Sequence, residues 1–301
     1  MDKSIRVAFF RLLALYLRTT NFQLGRWRFT RYAYDMAKRL GPSLGRRTVS
    51  TKLGFKMDLD LTDWLGQHVF ASGVYEPSTS LLIRSLLETG DVVIDGGANV
   101  GFFTLLMARR VGSSGQVTAF EPVPDLRNQL LKNLTLNDLG NVAVRSEALY
   151  DREGTTELAI GPSGHLGTSS LRPALKSPTT KTIRVALTRL DSVTDPTTNV
   201  RLVKLDVEGV EIFALRGMRQ VIQRCRPDLV IEISQKFFAE LGYSPREVLR
   251  YLEEFGYRAF EITWDGLRPW TEDTEGLSPQ FNSFFTVRQE QLEDAAICPR
   301  I

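Results

Sequence analysis

Short apolar runs alternate with stretches of helical periodicity from residue 91 onward. The β-rich runs predict seven strands, at 91–95, 116–120, 142–147, 202–206, 229–233, 257–263 and 281–287. Apolar positions three and four apart predict helices between them, at 100–111, 125–136, 210–222 and 244–255. Strands that alternate with helices form a parallel sheet covered on both faces. The pattern therefore predicts a doubly wound α/β fold with a mostly parallel, seven-stranded sheet.

Two further β-rich stretches, 155–160 and 182–187, interrupt this alternation and are joined by a loop rich in Gly, Ser and Pro. They predict a β insertion at about 152–190, after the third strand. Before residue 65 the pattern changes to amphipathic helices within 4–40, followed by a hairpin at 48–61. We therefore expect a partly helical N-terminal extension, 1–65, and a main domain, 66–301.

The first predicted strand ends in Asp95 and continues through the glycine-rich letters GGANVG into a helix. In a doubly wound sheet, this turn lies in the ligand-binding crevice. Gly97 allows close approach of a ligand, Asn99 tolerates a left-handed conformation, and Gly101 allows the helix to pack closely. The glycines do not fit the GxGxxG spacing of a dinucleotide site, and Asp95 would repel a pyrophosphate. A carboxylate there can instead hydrogen-bond to the amino group of a methionine-like arm.

Carboxylates also follow the next two predicted strands. Glu121, followed by Pro122, ends the second strand about 20 residues after the glycine-rich turn, where it can accept both hydroxyls of a ribose. Glu147 ends the third strand, where it can accept from the amino group of an adenine. Ala148 is small enough to lie against the ring. Acids at three successive strand ends predict an adenosine site.

Motifs along the chain resemble those of the FkbM methyltransferase family: DGGANVG from Asp95, FEPVP from Phe120, EAL from Glu147, GTSSL from Gly167, KLDVEGVE from Lys204, EIS from Glu232 and FNSFF from Phe281. The resemblance spans about residues 70–288. It implies a Rossmann-like class I methyltransferase fold and S-adenosyl-L-methionine as cofactor. It also implies O-methylation of a small-molecule hydroxyl, on a sugar, glycan or polyketide-type secondary metabolite. The segment before residue 65 lies outside the resemblance.

An unactivated alcohol needs a positioned base to remove its proton. Asp206 comes at the carboxyl end of the fourth predicted strand, facing the crevice, where it is expected to contact the cofactor as well, and Glu208 follows it. His165, in the glycine-rich loop of the insertion, is a third candidate base. Glu208 and Glu211 are three positions apart and are expected to share a helix face. Lys204 is expected to pair with Glu211 and fix that helix.

Further candidates surround this predicted site. Glu232 ends the neighbouring strand and can pair with Asp206 to hold a divalent cation, which would lower the pKa of the acceptor hydroxyl. Tyr75 and Glu76, in the letters GVYEP, are expected to close over the methionine end of the cofactor. The aromatic candidates for an acceptor pocket are Trp27, Phe29, Trp264 and Trp270.

Charge is unevenly distributed along the 301 residues. The net charge is +3, but residues 1–60 hold 13 Lys or Arg and 4 Asp or Glu, which gives +9. This basic segment suits an acidic partner, a phosphorylated substrate, peripheral contact with an anionic membrane, or a solvated helical face. No apolar run reaches the roughly 18 residues of a membrane-spanning helix. No secretory cleavage pattern is present either, so we expect a cytoplasmic protein without a transmembrane segment.

Two other functional classes remain as alternatives on the sequence. An NAD-dependent oxidoreductase needs the GxGxxG loop and a catalytic Tyr/Lys or His arrangement, which we do not find. A nucleic-acid-binding module needs a recognition signature beside the basic segment, and none is present, so we expect no nucleic-acid partner. The identity of the acceptor and the oligomeric state cannot be read from the residues.

Overall fold

The computed structural model describes residues 10, 12, 14–16, 36, 39, 40, 44–161, 166–172 and 180–288. These residues form thirteen strands: β1 (Arg46–Ser50), β2 (Lys56–Asp60), β3 (Val92–Gly96), β4 (Gln116–Phe120), β5 (Val142–Arg145), β6 (Ala148–Leu149), β7 (Gly154–Ala159), β8 (Thr182–Thr188), β9 (Val200–Leu205), β10 (Asp228–Ser234), β11 (Arg258–Thr263), β12 (Gly266–Trp270) and β13 (Gln280–Thr286).

The helices that connect these strands have the bounds α1 (Trp64–Ser72), α2 (Pro77–Leu86), α3 (Phe102–Val111), α4 (Pro124–Thr135), α5 (Leu190–Val193), α6 (Glu211–Arg216), α7 (Arg219–Cys225), α8 (Gln235–Glu240) and α9 (Pro245–Glu253). None of these helices combines the length and the apolar character that crossing a membrane requires. Helix α9 begins with a capping box formed by Ser244 and Glu247.

Eight strands form the central sheet, in the order β12-β11-β13-β10-β9-β3-β4-β5. The strands β5, β4, β3, β9 and β10 are parallel neighbours, whereas β13 pairs antiparallel with both β10 and β11. The predicted mostly parallel, doubly wound sheet is confirmed. The prediction of seven strands is wrong by one. The eighth strand is β12, which pairs antiparallel with β11 at the edge of the sheet. That strand contains Pro269, which an edge strand tolerates but which is atypical of a strand sequence.

Successive residues of the central strands point to opposite faces of the sheet. Val93 and Val230 belong to a core shared with α2, α3 and the β1–β2 hairpin. Ile94 and Ile231 belong to a second core beneath α6, α7 and α9. The central parallel strands are buried on both faces, which explains why they read as continuous apolar runs.

The predicted hairpin before the main domain is the antiparallel pair β1 and β2. The side chains of Asn133, on α4, and Asn137, in the turn after it, accept from the backbone N–H groups of Asp58 (2.8 Å) and Lys56 (2.7 Å) and so fix β2. The described residues of the N-terminal extension before residue 45 are helical. Phe10 is fully buried there, and its ring centroid lies 5.3 Å from that of Phe70 on α1. The remainder of the extension, with Trp27 and Phe29, lies outside the described residues.

A separate three-stranded sheet, in the order β6-β8-β7, is inserted between β5 and β9. This sheet confirms the predicted β insertion. The insertion begins at Ala148, slightly before the predicted start at about 152. Ser170 exchanges two backbone hydrogen bonds with Ala159, at the end of β7, at distances of 2.9 and 3.0 Å. This pairing fixes the loop 167–171, which carries the GTSSL letters, against the insertion.

The prediction of a single helix at 210–222 is wrong. The chain forms two helices there, α6 and α7, which are separated near Gly217. A Cβ at Gly217 would lie 1.8 Å from the carbonyl oxygen of Tyr150. The insertion therefore packs against the chain where the helix breaks. This contact joins residues far apart in sequence, so helical periodicity alone could not show the break.

Candidate active site

A cavity of about 230 Å³ opens at the carboxyl ends of β3, β4, β9 and β10. In the sheet, β4 and β5 lie on one side of β3 and β9 lies on the other, so the direction of chain winding reverses between β3 and β9. Doubly wound sheets bind ligands at such a point. Seven of the ten predicted cofactor residues line the cavity: Gly97, Asn99, Glu121, Pro122, Glu147, Ala148 and Asp206.

Glu121, at the end of β4, has only 4% of its surface exposed. Its Oε2 accepts from the backbone N–H of Asn99 at 2.7 Å, and its Oε1 accepts from that of Val123 at 2.8 Å. Burial raises the pKa of this carboxyl to about 7, although the two N–H groups favour the charged form. Each oxygen keeps a second lone pair, so the carboxylate can still accept a pair of hydroxyl groups.

Glu147 and Ala148 follow β5 and form the neighbouring part of the wall. The Oε1 of Glu147 accepts from Arg145 at 2.5 Å, and its Oε2 accepts from the backbone N–H of Ser146 at 2.9 Å. Partial burial raises the pKa of Glu147, but the hydrogen bond and charge of Arg145 outweigh it, and the pKa lies below its usual value. Glu147 is therefore charged at neutral pH and can accept from an amino group.

The glycine-rich turn has left-handed backbone at Gly97 (φ 82°), Asn99 (φ 53°) and Gly101 (φ 95°). Asn is one of the few residues with a side chain that adopts this conformation readily. The side-chain Oδ1 of Asn99 accepts from the backbone N–H of Val100 at 2.7 Å, which stabilises the turn locally. The turn is thereby shaped so that its backbone lies on the cavity wall.

Gly97→Ala is expected to destabilise the fold by at least about 2 kcal/mol. A Cβ at Gly97 would lie 1.9 Å from the carbonyl oxygen of Asp206, and φ is positive there. The free energy of unfolding in urea measures the effect. Gly140→Ala is the matched control, because a Cβ there meets nothing within 4 Å. Equal unfolding free energies for the two variants would contradict the close contact at Gly97.

Three predicted cofactor residues do not line the cavity. Asp95 is 1% exposed, burial raises its pKa, and its Oδ2 accepts from a threonine hydroxyl of α3 at 2.5 Å. Gly101 allows α3 to approach α4, since a Cβ there would lie 2.3 Å from a leucine side chain of α4. Glu76, just before α2, accepts from the side-chain amide of Asn282 at 2.7 Å. Direct contact of these residues with a cofactor stays a prediction.

Asp206 follows β9 and accepts from Lys204 Nζ at 3.0 Å. Lys204 is 2% exposed, and burial favours its neutral form. The carboxylates of Asp206, Asp95 and Glu76 outweigh burial and raise the pKa of Lys204, so the amine stays charged. The predicted ion pair of Lys204 with Glu211 is wrong, because Asp206 binds the lysine and Glu211 binds backbone groups instead.

Glu208 lies in the turn between β9 and α6 and has left-handed backbone (φ 58°). Glu211 begins α6 and accepts from two backbone N–H groups of that turn, at 3.0 and 3.3 Å. The two glutamates therefore do not share a helix face, and that expectation is wrong. The hydroxyls of Ser170 and Tyr243 donate to carbonyl groups of the turn, each at 2.6 Å. Strained backbone supported from both sides is typical of a functional turn.

The carboxylates of Asp206, Glu208 and Glu232 converge, with one oxygen of each within 4.8 Å of the others. Burial, followed by the charges of Asp206 and Glu211, raises the pKa of Glu208 to about 8. Burial and Asp206 also raise the pKa of Glu232, which accepts from Gln280 Nε2 at 2.8 Å. Three carboxylates this close need a compensating proton or cation. Lys204 already compensates the charge of Asp206, so the further proton or cation concerns Glu208 and Glu232. The structure thus brings the two predicted metal ligands together with Glu208.

Other predicted residues lie elsewhere. Trp270 is 2% exposed and donates to the hydroxyl of Ser283 at 2.9 Å within the core. Trp264 is exposed and does not line the cavity. The expectation that these two build an acceptor pocket is wrong. His165 lies outside the described residues, so its catalytic role stays a prediction.

Sequence reasoning missed Asp63, Trp64 and Gln280, which all line the cavity. Trp64 is the first residue of α1, and its ring centroid lies 3.9 Å from that of His68, one helical turn later. The available signal was the pair of rings Trp64 and His68, four positions apart and therefore on one face of a helix. That signal has meaning only once α1 is recognised, and the sequence pattern did not predict this helix.

The chain is similar in sequence to known methyltransferases. A model of the methyltransferase FkbM domain matches residues 95–259. The chain is 28% identical over 193 residues to Methyltransferase sdnD of Sordaria araneosa, which covers 62% of this chain and 72% of that protein. It is 31% identical over 176 residues to Hexuronic acid methyltransferase AglP of Haloferax volcanii, covering 58% and 67%.

Solved structures of methyltransferases are also similar. The methyltransferase FkbM from Methylobacillus flagellatus matches with a TM-score of 0.45 and 14% identity, covering 93% of this chain and 59% of that chain. A SAM-dependent O-methyltransferase from Thermotoga maritima matches with a TM-score of 0.41 and 17% identity, covering 80% and 92%. The matched domain, 95–259, spans more than half of the 301 residues. This chain therefore belongs to the FkbM methyltransferase family.

Proposed function

We propose that this protein is an S-adenosylmethionine-dependent O-methyltransferase acting on a hydroxyl group of a sugar, glycan or polyketide-type metabolite. The observation that carries the proposal is the convergence of acids from neighbouring strand ends on one cavity: Glu121 after β4, Glu147 after β5 and Asp206 after β9. Similarity to a hexuronic acid methyltransferase supports a sugar ring as the acceptor; the carboxylate of a hexuronic acid is a separate feature, which the acidic wall of this cavity disfavours.

The cofactor is proposed to bind along the ends of β5, β4 and β3. Glu121 accepts the ribose hydroxyls, Glu147 accepts the adenine amino group, and Ala148 lies against the ring. Gly97 and Asn99 place their backbone beside the methionine arm. The bound sulfonium supplies an already activated methyl group, so the protein must mainly align the acceptor oxygen and remove its proton.

Glu208 is the proposed general base. Its Oε2 is buried and has no hydrogen-bond partner among the described residues, whereas Asp206 is already engaged by Lys204. Its raised pKa, about 8, makes it a stronger base than an ordinary carboxylate. As the acceptor oxygen bonds to the methyl carbon, the carbon–sulfur bond breaks and Glu208 takes the hydroxyl proton. Asp206 and His165 are the alternative bases.

Asp206 and Glu232 are the proposed ligands of a divalent cation, since clustered carboxylate oxygens suit Mg²⁺, Ca²⁺ or Mn²⁺. Such an ion would compensate the charge of the cluster and lower the pKa of the acceptor hydroxyl. A proton shared by Glu208 and Glu232 would compensate the same charge without metal. Turnover measured after chelation, with and without added Mg²⁺ or Mn²⁺, distinguishes the two arrangements.

Titration calorimetry with S-adenosylhomocysteine tests the proposed cofactor. We expect a dissociation constant in the micromolar range, roughly 1 μM to 1 mM, and no heat of binding with NAD. Transfer of a labelled methyl group into extracts, with the product identified by mass spectrometry, then identifies the acceptor. A folded protein that binds NAD but neither S-adenosylmethionine nor S-adenosylhomocysteine would rule the proposal out.

A further inference from the structure

The order of strands divides the cavity into two ends. The sequence of strands β5-β4-β3-β9-β10-β13 places Glu147 and Glu121 at one end, Asp206 in the middle, and Glu232 and Gln280 at the other end. The first two residues are the proposed nucleoside contacts. The acceptor therefore approaches the methyl group from the end of Glu232 and Gln280, an assignment that rests on the proposed function.

Trp64 forms part of the cavity wall and has 53% of its surface exposed. Its ring lies against that of His68, whose Nδ1 lies 2.9 Å from the carbonyl oxygen of Trp64. His68 in turn contacts Tyr75 edge-on, with ring centroids 6.2 Å apart, and Tyr75 also lines the cavity. The indole is thus supported from behind by a second ring and leaves apolar surface available to a ligand.

The charge of the cavity wall is one-sided. Within the described part of the chain, no Lys or Arg lines the cavity. Six carboxylates do: Asp63, Glu121, Glu147, Asp206, Glu208 and Glu232. Two buried cations close to the wall are already paired, Lys204 with Asp206 at 3.0 Å and Arg172 with Glu240 at 2.7 Å. In the arrangement without metal, a negatively charged acceptor would meet like charges, and no unpaired Lys or Arg among the described residues of the wall would compensate them, which weakens binding.

We propose that Trp64 and Gln280 bind the acceptor as a saturated ring that carries several hydroxyl groups and no negative charge. The C–H face of such a ring packs on the indole and buries apolar surface. Its hydroxyls donate to the carboxylates of the wall and pair with the amide of Gln280. The indole supplies contact area, and the carboxylates disfavour a ring that carries negative charge.

Saturation-transfer NMR on protein loaded with S-adenosylhomocysteine tests this acceptor class. The probes are methyl glycosides of neutral hexoses, the matching glycosides of uronic acids and of amino sugars, and sorbitol as an open-chain polyol. We expect the neutral and amino glycosides to bind, and the uronic acid glycosides and sorbitol to bind at least about 10-fold more weakly. Added salt is expected to narrow the difference between neutral and uronic acid glycosides, because that difference is electrostatic.

Trp64→Ala is expected to lower the affinity for a neutral glycoside about 10-fold, and Trp64→Phe to retain most of it. Trp264→Ala is the matched control, because Trp264 is 74% exposed and lies outside the cavity wall. Affinity for S-adenosylhomocysteine is expected to be unchanged in all three variants. If the parent protein shows no affinity for S-adenosylhomocysteine, the proposed function itself is overturned.

Three results would overturn the acceptor proposal while leaving the cofactor site intact. One is equal binding of uronic acid and neutral glycosides. Another is an equal effect of the Trp64→Ala and Trp264→Ala substitutions on glycoside affinity. The third is a protein that binds S-adenosylhomocysteine but none of the glycosides at millimolar concentration.

Discussion

Glu121→Ala is expected to lower the affinity for S-adenosylhomocysteine by about 100-fold or more. A ribose with both hydroxyls bound to a carboxylate makes two charge-assisted hydrogen bonds, each contributing about 1.5–3 kcal/mol. The substitution removes both of them. It also leaves the backbone N–H groups of Asn99 and Val123 without their acceptor, which loosens the turn that forms the wall. Titration calorimetry measures the affinity directly.

Glu121→Gln removes the charge but only half of the support of the turn, because its NH2 group can replace only one of the two oxygens that accept from Asn99 and Val123. The amide keeps one oxygen acceptor in nearly the same shape but carries no charge, so we expect an intermediate loss of about 10-fold. Glu157→Ala, at an exposed position of β7, is the control and is expected to bind like the parent protein. Thermal unfolding without ligand shows whether each variant is folded. Parent-like affinity in folded Glu121→Ala would contradict the ribose assignment.

Glu208→Gln is expected to lower kcat by a factor of about 10² to 10⁴ while leaving the affinity for S-adenosylhomocysteine unchanged. The amide has the size of the carboxylate but cannot take a proton from the acceptor. It also relieves the repulsion with Asp206 that raises the pKa of Glu208, so the variant is expected to remain folded. Single-turnover methyl transfer, with cofactor bound beforehand, measures the chemical step.

The pH dependence of kcat gives an independent test of Glu208. Its pKa is raised to about 8, so below that pH the group is protonated and cannot act as a base. Activity is therefore expected to rise with pH through about 8 and to reach a plateau above it. The apparent pKa belongs to the cluster that Glu208 forms with Asp206 and Glu232. If Glu208→Gln keeps both the turnover and this profile, the base is another residue.

The edge of the sheet that carries the site could be predicted because the signal for it is local. An apolar run that ends in Asp95, Glu121 or Asp206 shows both the strand and the end at which the acid lies. In a parallel sheet, the carboxyl ends of neighbouring strands meet on one edge. Local pattern therefore sufficed to place Glu121, Glu147 and Asp206 around the same cavity, as the structure has them.

Contacts between distant segments could not be predicted in this way. Asn282 donates to Glu76, 206 positions away, only because β13 passes next to the start of α2. The spacing of Glu208 and Glu211 predicts that both lie on one helix. The structure instead has a left-handed turn, held by the hydroxyls of Ser170, from the insertion, and of Tyr243. Spacing describes neighbours on a regular element, whereas this turn is shaped by other parts of the fold.

The contact between Gly97 and the carbonyl group of Asp206 has a kinetic consequence. Asp206 also donates its backbone N–H to the carbonyl of Gly96 at 3.0 Å, and the N–H groups of Gly97 and Ala98 both donate to the carbonyl of Phe120. These contacts join the glycine-rich turn after β3 to the turn after β9, so a backbone displacement in one turn is expected to displace the other. A substitution that displaces the backbone of either turn is therefore expected to change the Michaelis constants of methyl donor and acceptor together, whereas a side-chain substitution that leaves the backbone in place, such as Glu208→Gln, is not.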